Sequence, residues 1–250
     1  MTYKALGRSI LNYGVPVWGP FLSNTSWQEL QIAQNSALRS ITGCVLMSDQ
    51  DHLHNETQIL PVKEHSEMLS KQYMISMHQQ HHPNRWQLTK PCSTRDIKKS
   101  LLHKHKKDIQ VFVSPDQIID KKQCKQAQKA IHTSSVKDTI NNFKASKVTN
   151  KPAPRISNDE KQLPRETRVK LAQLRSGYST LLNSYMLRIN KSDTDLCKTC
   201  NEVPETSMHL FNCKENPTEL TADSLWNSPL EAATFLGLKL RASPAESEPG

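Results

Sequence analysis

Residues Leu196–Cys213 read LCKTCNEVPETSMHLFNC, and four side chains in that stretch decide how the end of the chain folds. Cys197, Cys200, His209 and Cys213 follow the pattern Cys-x2-Cys-x8-His-x3-Cys. Three thiolates and one imidazole make a complete tetrahedral set for zinc, and four protein ligands leave no open position for a reacting water. The x2 gap lets one tight turn present two sulfurs to the same ion. The x3 gap puts His209 and Cys213 on one face of a helical turn. A disulfide pair or unrelated buried thiols are the other readings of the same residues. Zinc is the expected cofactor, in a structural role. Phe211, Leu210, Leu196 and Val203 either offer an unpaired base a stacking surface or bury the knuckle on what precedes it. Lys198 and Lys214 stand where they could neutralise phosphates.

Upstream, two apolar stripes lead into the cysteines. Pro164 stands at a first helical turn, followed by Val169, Leu171 and Leu174, with Gly177 at the end. Leu181, Leu182, Tyr185, Met186 and Ile189 form the second stripe. The spacing predicts a helical hairpin hinged at Gly177, decorated by Arg165, Arg168, Lys170, Arg175, Arg188 and Lys191. Downstream, Ser228, Pro229 and Glu231 open a short helix that Gly237 closes. The last residues, SPAESEPG, read as a disordered tail.

Nearer the N-terminus, ILNYGVPVWGP (10–20) reads as an extended segment or buried turn. Ser26 and Glu29 have the spacing of a capping box, and Gly43 stands at a helix C-terminus. Between them Leu30, Ala33, Ala37, Leu38 and Ile41 recur at helical steps. Pro61 opens another helix, from Val62 to about Gln79, with Leu69, Tyr73 and Met77 inward. Residues 83–100 read as a loop. Ile97–Lys107 and Gln117–Lys147 are weaker helices, and Thr149–Gln162 reads as a linker.

Of 250 residues, 36% are hydrophobic, and no apolar run approaches the roughly 20 residues of a membrane span. Lys4 and Arg8 interrupt the N-terminal stretch where a signal peptide needs a continuous apolar core. The chain therefore reads as soluble and intracellular, nucleus and cytoplasm not being distinguished. Cys44, Cys92 and Cys124 read as ordinary reduced thiols. The net charge is +9, and residues 98–151 carry all of it, with 13 lysines, four aspartates, no arginine and no glutamate. A lysine field without arginine favours sequence-blind contact with phosphates, and association that weakens with salt. A solvated, partly disordered linker is the alternative. The chain has no His-Glu-x-x-His, Gly-x-Ser-x-Gly, Walker-type or dinucleotide-binding motif.

Several blocks together resemble a known family. LNYGVPVWGP (11–20), QNSALRSITG (34–43) and HLHNETQILPVKEH (52–65) are similar to the region downstream of the polymerase palm in jockey-type non-LTR (LINE-type) retrotransposon reverse transcriptases. RVKLAQLRSGYSTLLNSYMLRI (168–189), ETSMHLFNC (205–213) and SLWNSPLEAATFLGL (224–238) resemble the end of those polyproteins. The likeness runs from about Tyr3 to Leu238 and is weakest over 83–150. Intact members copy RNA into DNA with palm aspartates holding two magnesium ions. This chain has no Asp-Asp pair, so the resemblance implies a C-terminal fragment without the catalytic palm, endonuclease or RNase H, not an enzyme as it stands. Tyr13, Trp18, Trp27 and Arg39 match the family's thumb-side block, where they track a template–primer duplex or simply pack.

The expectation is a mostly α protein. It has a thumb-like helical segment (1–82), a basic, partly disordered connection (83–162), a hairpin with zinc knuckle and short C-terminal helix (163–240), and a tail (241–250). The expected partner is RNA or an RNA–DNA hybrid, with contact to the rest of a reverse transcriptase and none to a membrane. Lys104, Lys106, Lys107, Lys121, Lys122, Arg168, Lys170, Arg175, Arg188, Lys198 and Phe211 are the candidate contacts. A zinc-stabilised interaction module, or a decayed remnant of an element, is the alternative.

Overall fold

The computed structural model describes residues 3–89 and 105–240. Its helices are α1 (Arg8–Asn12), α2 (Val15–Trp18), α3 (Asn24–Thr42), α4 (Gln50–Thr57), α5 (Val62–Met77) and α6 (Lys106–Gln110), then α7 (Lys121–Asn141), α8 (Arg165–Arg175), α9 (Asn183–Arg188), α10 (Ser224–Asn227) and α11 (Pro229–Phe235). Among the described residues there is no β-strand, only isolated bridges pairing Gln79 with Ile119 and Leu196 with Pro204. The protein is mostly α. No helix among the described residues is long and apolar enough to cross a membrane. Cys92, Lys104, the helix expected from Ile97 and the tail from 241 lie wholly or largely outside the described residues.

The described residues fall into two compact units that do not follow chain order. Residues up to Gln34, with Leu60–Asn142, form the first; Asn35–Ile59, with those from Phe143, form the second. Divisions near 82 and 162 therefore do not coincide with the contacts. The expected linker, 149–162, belongs to the second unit. Val148 is buried in its core, Ile156 packs on that core, and Ser157 donates its backbone N–H to the Trp226 carbonyl at 2.9 Å.

In the first unit, residues 8–21 coil into short helical turns instead of an extended segment. Gly14 supplies the left-handed corner between α1 and α2, at φ +62°. Val15 and Gly19 are buried, whereas Ile10, Tyr13 and Val17 point to solvent. Trp18 and Trp27 pack with ring centres 6.0 Å apart. Helix α3 starts earlier than its Ser26–Glu29 signature suggests, because Ser23 Oγ accepts the Ser26 backbone N–H at 3.1 Å. Helix α5 follows Pro61, and its buried line is Met68, Met74, Ile75 and Met77, with Leu69 and Tyr73 at the margin. Helix α7 lies against α5 through Cys124 and Ile131, and Gln72 and Gln128 exchange amide-to-carbonyl bonds at 3.0 and 3.2 Å. The middle of the chain thus holds an ordered 21-residue helix. Its start is fixed by a capping box between Asp120 and Gln123, a signal visible in the sequence as Asp-x-x-Gln.

The second unit is built on α8, whose Leu171 and Leu174 are fully buried. They pack with Leu163, Leu182, Tyr185, Phe211, Leu225 and Trp226. Gly177 takes φ +78° and turns the chain from α8 toward α9, as the hairpin reading requires. Gly43 also adopts a left-handed conformation, φ +69°, and there a Cβ would stand 2.4 Å from Val169 Cγ1. Gly43→Ala therefore combines left-handed strain with a collision, whereas Gly237→Ala, at φ +64° with nothing within 4 Å, has only the strain. Urea unfolding is expected to show a loss of about 1–2 kcal/mol for Gly237→Ala and roughly 1–3 kcal/mol more for Gly43→Ala. Equal losses would mean that Val169 yields freely.

Candidate metal centre

The backbone around the first two cysteines is a tight hairpin. The Cys197 N–H donates to the Val203 carbonyl at 2.8 Å, and Asn201 N–H donates back to the Cys197 carbonyl at 2.9 Å. Asn201 sits at φ +53°, a conformation asparagine tolerates better than most residues. The Thr199 N–H points at Cys197 Sγ from 3.4 Å, as expected where a thiolate forms. The second pair arises from the 3-10 turn His209–Phe211, held by Leu210 N–H on the Thr206 carbonyl at 3.1 Å.

These two turns converge. The ligand atoms of Cys197, Cys200, His209 and Cys213 all lie within 4.8 Å of one another. Cys197 Sγ is 4.0 Å from Cys213 Sγ, and Cys200 Sγ is 3.4 Å from His209 Nε2. A tetrahedron with metal–sulfur bonds of about 2.3 Å and a metal–nitrogen bond of about 2.0 Å has edges of roughly 3.5–3.8 Å. The four side chains are thus gathered at the spacing of one tetrahedral ion, and none is in a disulfide. Burial pushes the Cys197 thiol up. The backbone N–H groups of Cys200 and Thr199, with His209 and Cys200, outweigh it and hold the thiol at about 6. Cys213 is pushed up, by burial first and then by the neighbouring sulfurs of Cys197 and Cys200. One thiol thus ionises easily and another resists ionisation.

Glu205, between the two pairs, is a structural residue that spacing did not reveal. It is buried, and its Oε2 accepts the Asn183 backbone N–H at 2.8 Å, at the start of α9. Its carbonyl accepts from Ser184 Oγ at 2.6 Å, and Lys198 Nζ lies 3.3 Å from its carboxylate. A carboxylate there satisfies an orphan N–H and the positive end of the helix. Asn183 Nδ2 donates to the Leu196 carbonyl at 2.8 Å, and Ser207 Oγ to the Leu174 carbonyl at 2.7 Å. The knuckle is thus bolted to both arms of the hairpin. Each bond from the knuckle to the hairpin through Asn183, Ser184 and Leu174 joins residues more than ten positions apart, which no local spacing displays.

The candidate contact residues separate. Phe211 is no stacking platform: it is buried and stacked on Phe235, ring centres 5.6 Å apart. Arg175 is no phosphate contact either. Its side chain is fully buried and bonded to Glu56 at 3.0 Å, to Glu160, and through Nε to the Leu225 carbonyl at 2.8 Å. Lys198 is engaged by Glu205 and donates to the Leu181 carbonyl at 2.8 Å. Lys170 Nζ donates to Thr180 Oγ1 at 2.6 Å, Arg188 lies over the Tyr178 ring, and Arg168 is exposed. In the first unit, Lys106, Lys107, Lys121 and Lys122 are exposed, and Lys104 lies outside the described residues. Of the thumb-block residues, Tyr13 is exposed and Arg39 leans on the Leu46 carbonyl at 3.5 Å. No family model, curated protein or solved structure matches this chain.

Proposed function

We propose that this chain is a zinc-stabilised nucleic-acid-binding protein that holds RNA or an RNA–DNA hybrid without acting on it. We read it as the C-terminal part of a retrotransposon RNA-directed DNA polymerase, without the catalytic palm. The zinc part rests on a gathered Cys-Cys-His-Cys set whose donor chemistry suits that ion and whose four ligands close the coordination shell. The ion's work in this reading is structural. It ties the two turns together, while Cys197, Phe211 and Cys213 sit buried beside the core instead of facing a partner.

The observation that carries the nucleic-acid part is the concentration of charge. The whole net charge of +9 falls on residues 98–151, and the lysines of α7 there project into solvent. Such a surface attracts a polyanion without reading its sequence. The test is fluorescence anisotropy of a labelled single-stranded RNA, titrated with the zinc-loaded chain at two or more salt concentrations. Binding is expected to weaken steeply with salt, its logarithm falling linearly with the logarithm of salt concentration. Absence of binding at low salt would overturn the reading and leave the interaction module.

A further inference from the structure

The basic residues of α7 are not spread evenly round the helix. Lys121, Lys125, Lys129 and His132 recur at steps of four, four and three, and at 100° per residue they fall within an arc of about 80°. All four are exposed. The arc flanks the buried line of Cys124 and Ile131, so packing against α5 fixes its direction. No carboxylate lies within salt-bridge distance of the three lysines among the described residues. Asp138, the one acidic residue of α7, lies off the arc and accepts from Ser134 Oγ at 3.1 Å.

The row runs on at its Lys121 end. Lys121 also lines a cleft of about 800 Å3, with Gln79, Gln80, His81, Gln123 and the carboxylate-bearing Asp120, between the 79–83 turn and the start of α7. On α5, His65 Nε2 meets Asn12 Nδ2 at 3.0 Å. Burial first, then Arg8, His132 and Lys4, push the His65 imidazole down to about 3. Arg8 is buried, donates one N–H to the Leu60 carbonyl at 2.9 Å, and has no hydrogen-bond partner for Nε. Arg8 is therefore no surface contact for a phosphate, and the exposed row ends at His132. From Lys121 to His132 the row is about 16 Å long, the axial rise of roughly five base pairs of a duplex at about 3.4 Å each.

We propose that the face of α7 bearing Lys121, Lys125, Lys129 and His132 is where this chain holds the phosphate backbone of a nucleic acid strand. The proposal rests on the nucleic-acid reading above and deepens it: it assigns the contact to the lysine row and not to the metal centre. Lysine point charges at helical spacing hold phosphates without selecting bases, so binding there is independent of sequence.

The test compares two triple variants of the full, zinc-loaded chain in the same anisotropy titration. Lys121→Gln/Lys125→Gln/Lys129→Gln neutralises the row. Arg155→Gln/Lys161→Gln/Lys191→Gln removes the same charge from exposed sites in the second unit. Glutamine keeps helix propensity, and unchanged far-UV circular dichroism verifies that α7 survives. Three phosphate contacts at a slope of about 0.7 each on single strands predict that the wild type loses about 20-fold more affinity than the row variant between 50 and 200 mM salt. The control triple is expected to retain the wild-type slope. Equal slopes for both triples, with the wild type binding RNA, overturn the row while leaving the nucleic-acid reading standing. A wild-type chain that binds no RNA overturns that reading itself, and the row with it.

Discussion

Stripping the metal with a chelator is expected to unfold the knuckle and to loosen the second unit around it. Structural zinc contributes roughly 10–16 kcal/mol in small finger peptides near neutral pH, comparable with the roughly 5–15 kcal/mol that holds a whole domain folded. Here the loss would not stay local. Phe211 belongs to the core with Leu174, Leu182, Leu225 and Trp226, and Glu205 holds the start of α9. Hydrogen exchange should show protection lost over residues 195–215 and lowered along α8 and α9, with restoration on returning zinc. Cys200→Ser should reproduce the effect, because three ligands leave an open and weaker site. Elemental analysis should find one zinc per chain, and cobalt in its place should give the visible bands of a tetrahedral thiolate site. Unchanged exchange after chelation, with all thiols free, would remove the metal from the fold.

Arg175→Ala is the second large effect. In the native protein the guanidinium lies between Glu56 and Glu160 and also bonds the Leu225 carbonyl, with no solvent exposure of its side chain. Two carboxylates share one cation. Their attraction raises the pKa of Arg175, since together they outweigh its burial. Glu160 is nevertheless pushed above the ordinary carboxylate range, first by burial and also by the charge of Glu56, which Arg175 only partly offsets. Removing one member of a buried pair typically costs about 3–5 kcal/mol, because the partner's charge is left uncompensated. For a unit of this size that is a fall of about 10–20 °C in Tm.

The penalty should depend on pH in a definite sense. A carboxyl whose folded pKa exceeds its unfolded one contributes stability below the ordinary carboxylate range, and that contribution is lost as pH rises through the folded value. Without Arg175 only Arg168 opposes the upward shift, so the variant should lose least near about pH 4 and most near about pH 7. Urea midpoints at both values decide it. Adding Glu56→Gln and Glu160→Gln should recover much of the loss at neutral pH, because the buried charges are then gone. A penalty independent of pH, unrelieved by the glutamines, would mean that Arg175 acts through packing alone.

Arg175 and Phe211 show why some of the candidate contact residues read from the sequence belong elsewhere. An arginine on an amphipathic helix beside a zinc motif has the composition of a phosphate contact. Its true partners are 119 and 15 positions away, and nothing in the local spacing announces them. Phe211 sits within a knuckle of the length that suits base stacking, yet Phe235 covers it. The lysine row was only half legible: Lys121 and Lys122 stood out as a doublet. Lys125, Lys129 and His132 join Lys121 only once α7 has a length, a cap and a buried face.

The sequence by itself determined the local features: the metal-ligand spacing, the mostly helical character, the helix ends and hinge at Gly43, Gly177 and Gly237, and the placing of all net charge between 98 and 151. Each depends on residues within a few positions of one another, where backbone geometry allows few outcomes. Only the tertiary structure decided that residues 35–59 pack with the C-terminal part, that 149–162 is core-bound, and that Arg175 is buried while α7 shows its lysines. Those outcomes turn on which apolar faces find each other across long stretches of chain. Burial is a property of the assembled packing, and no single segment carries it.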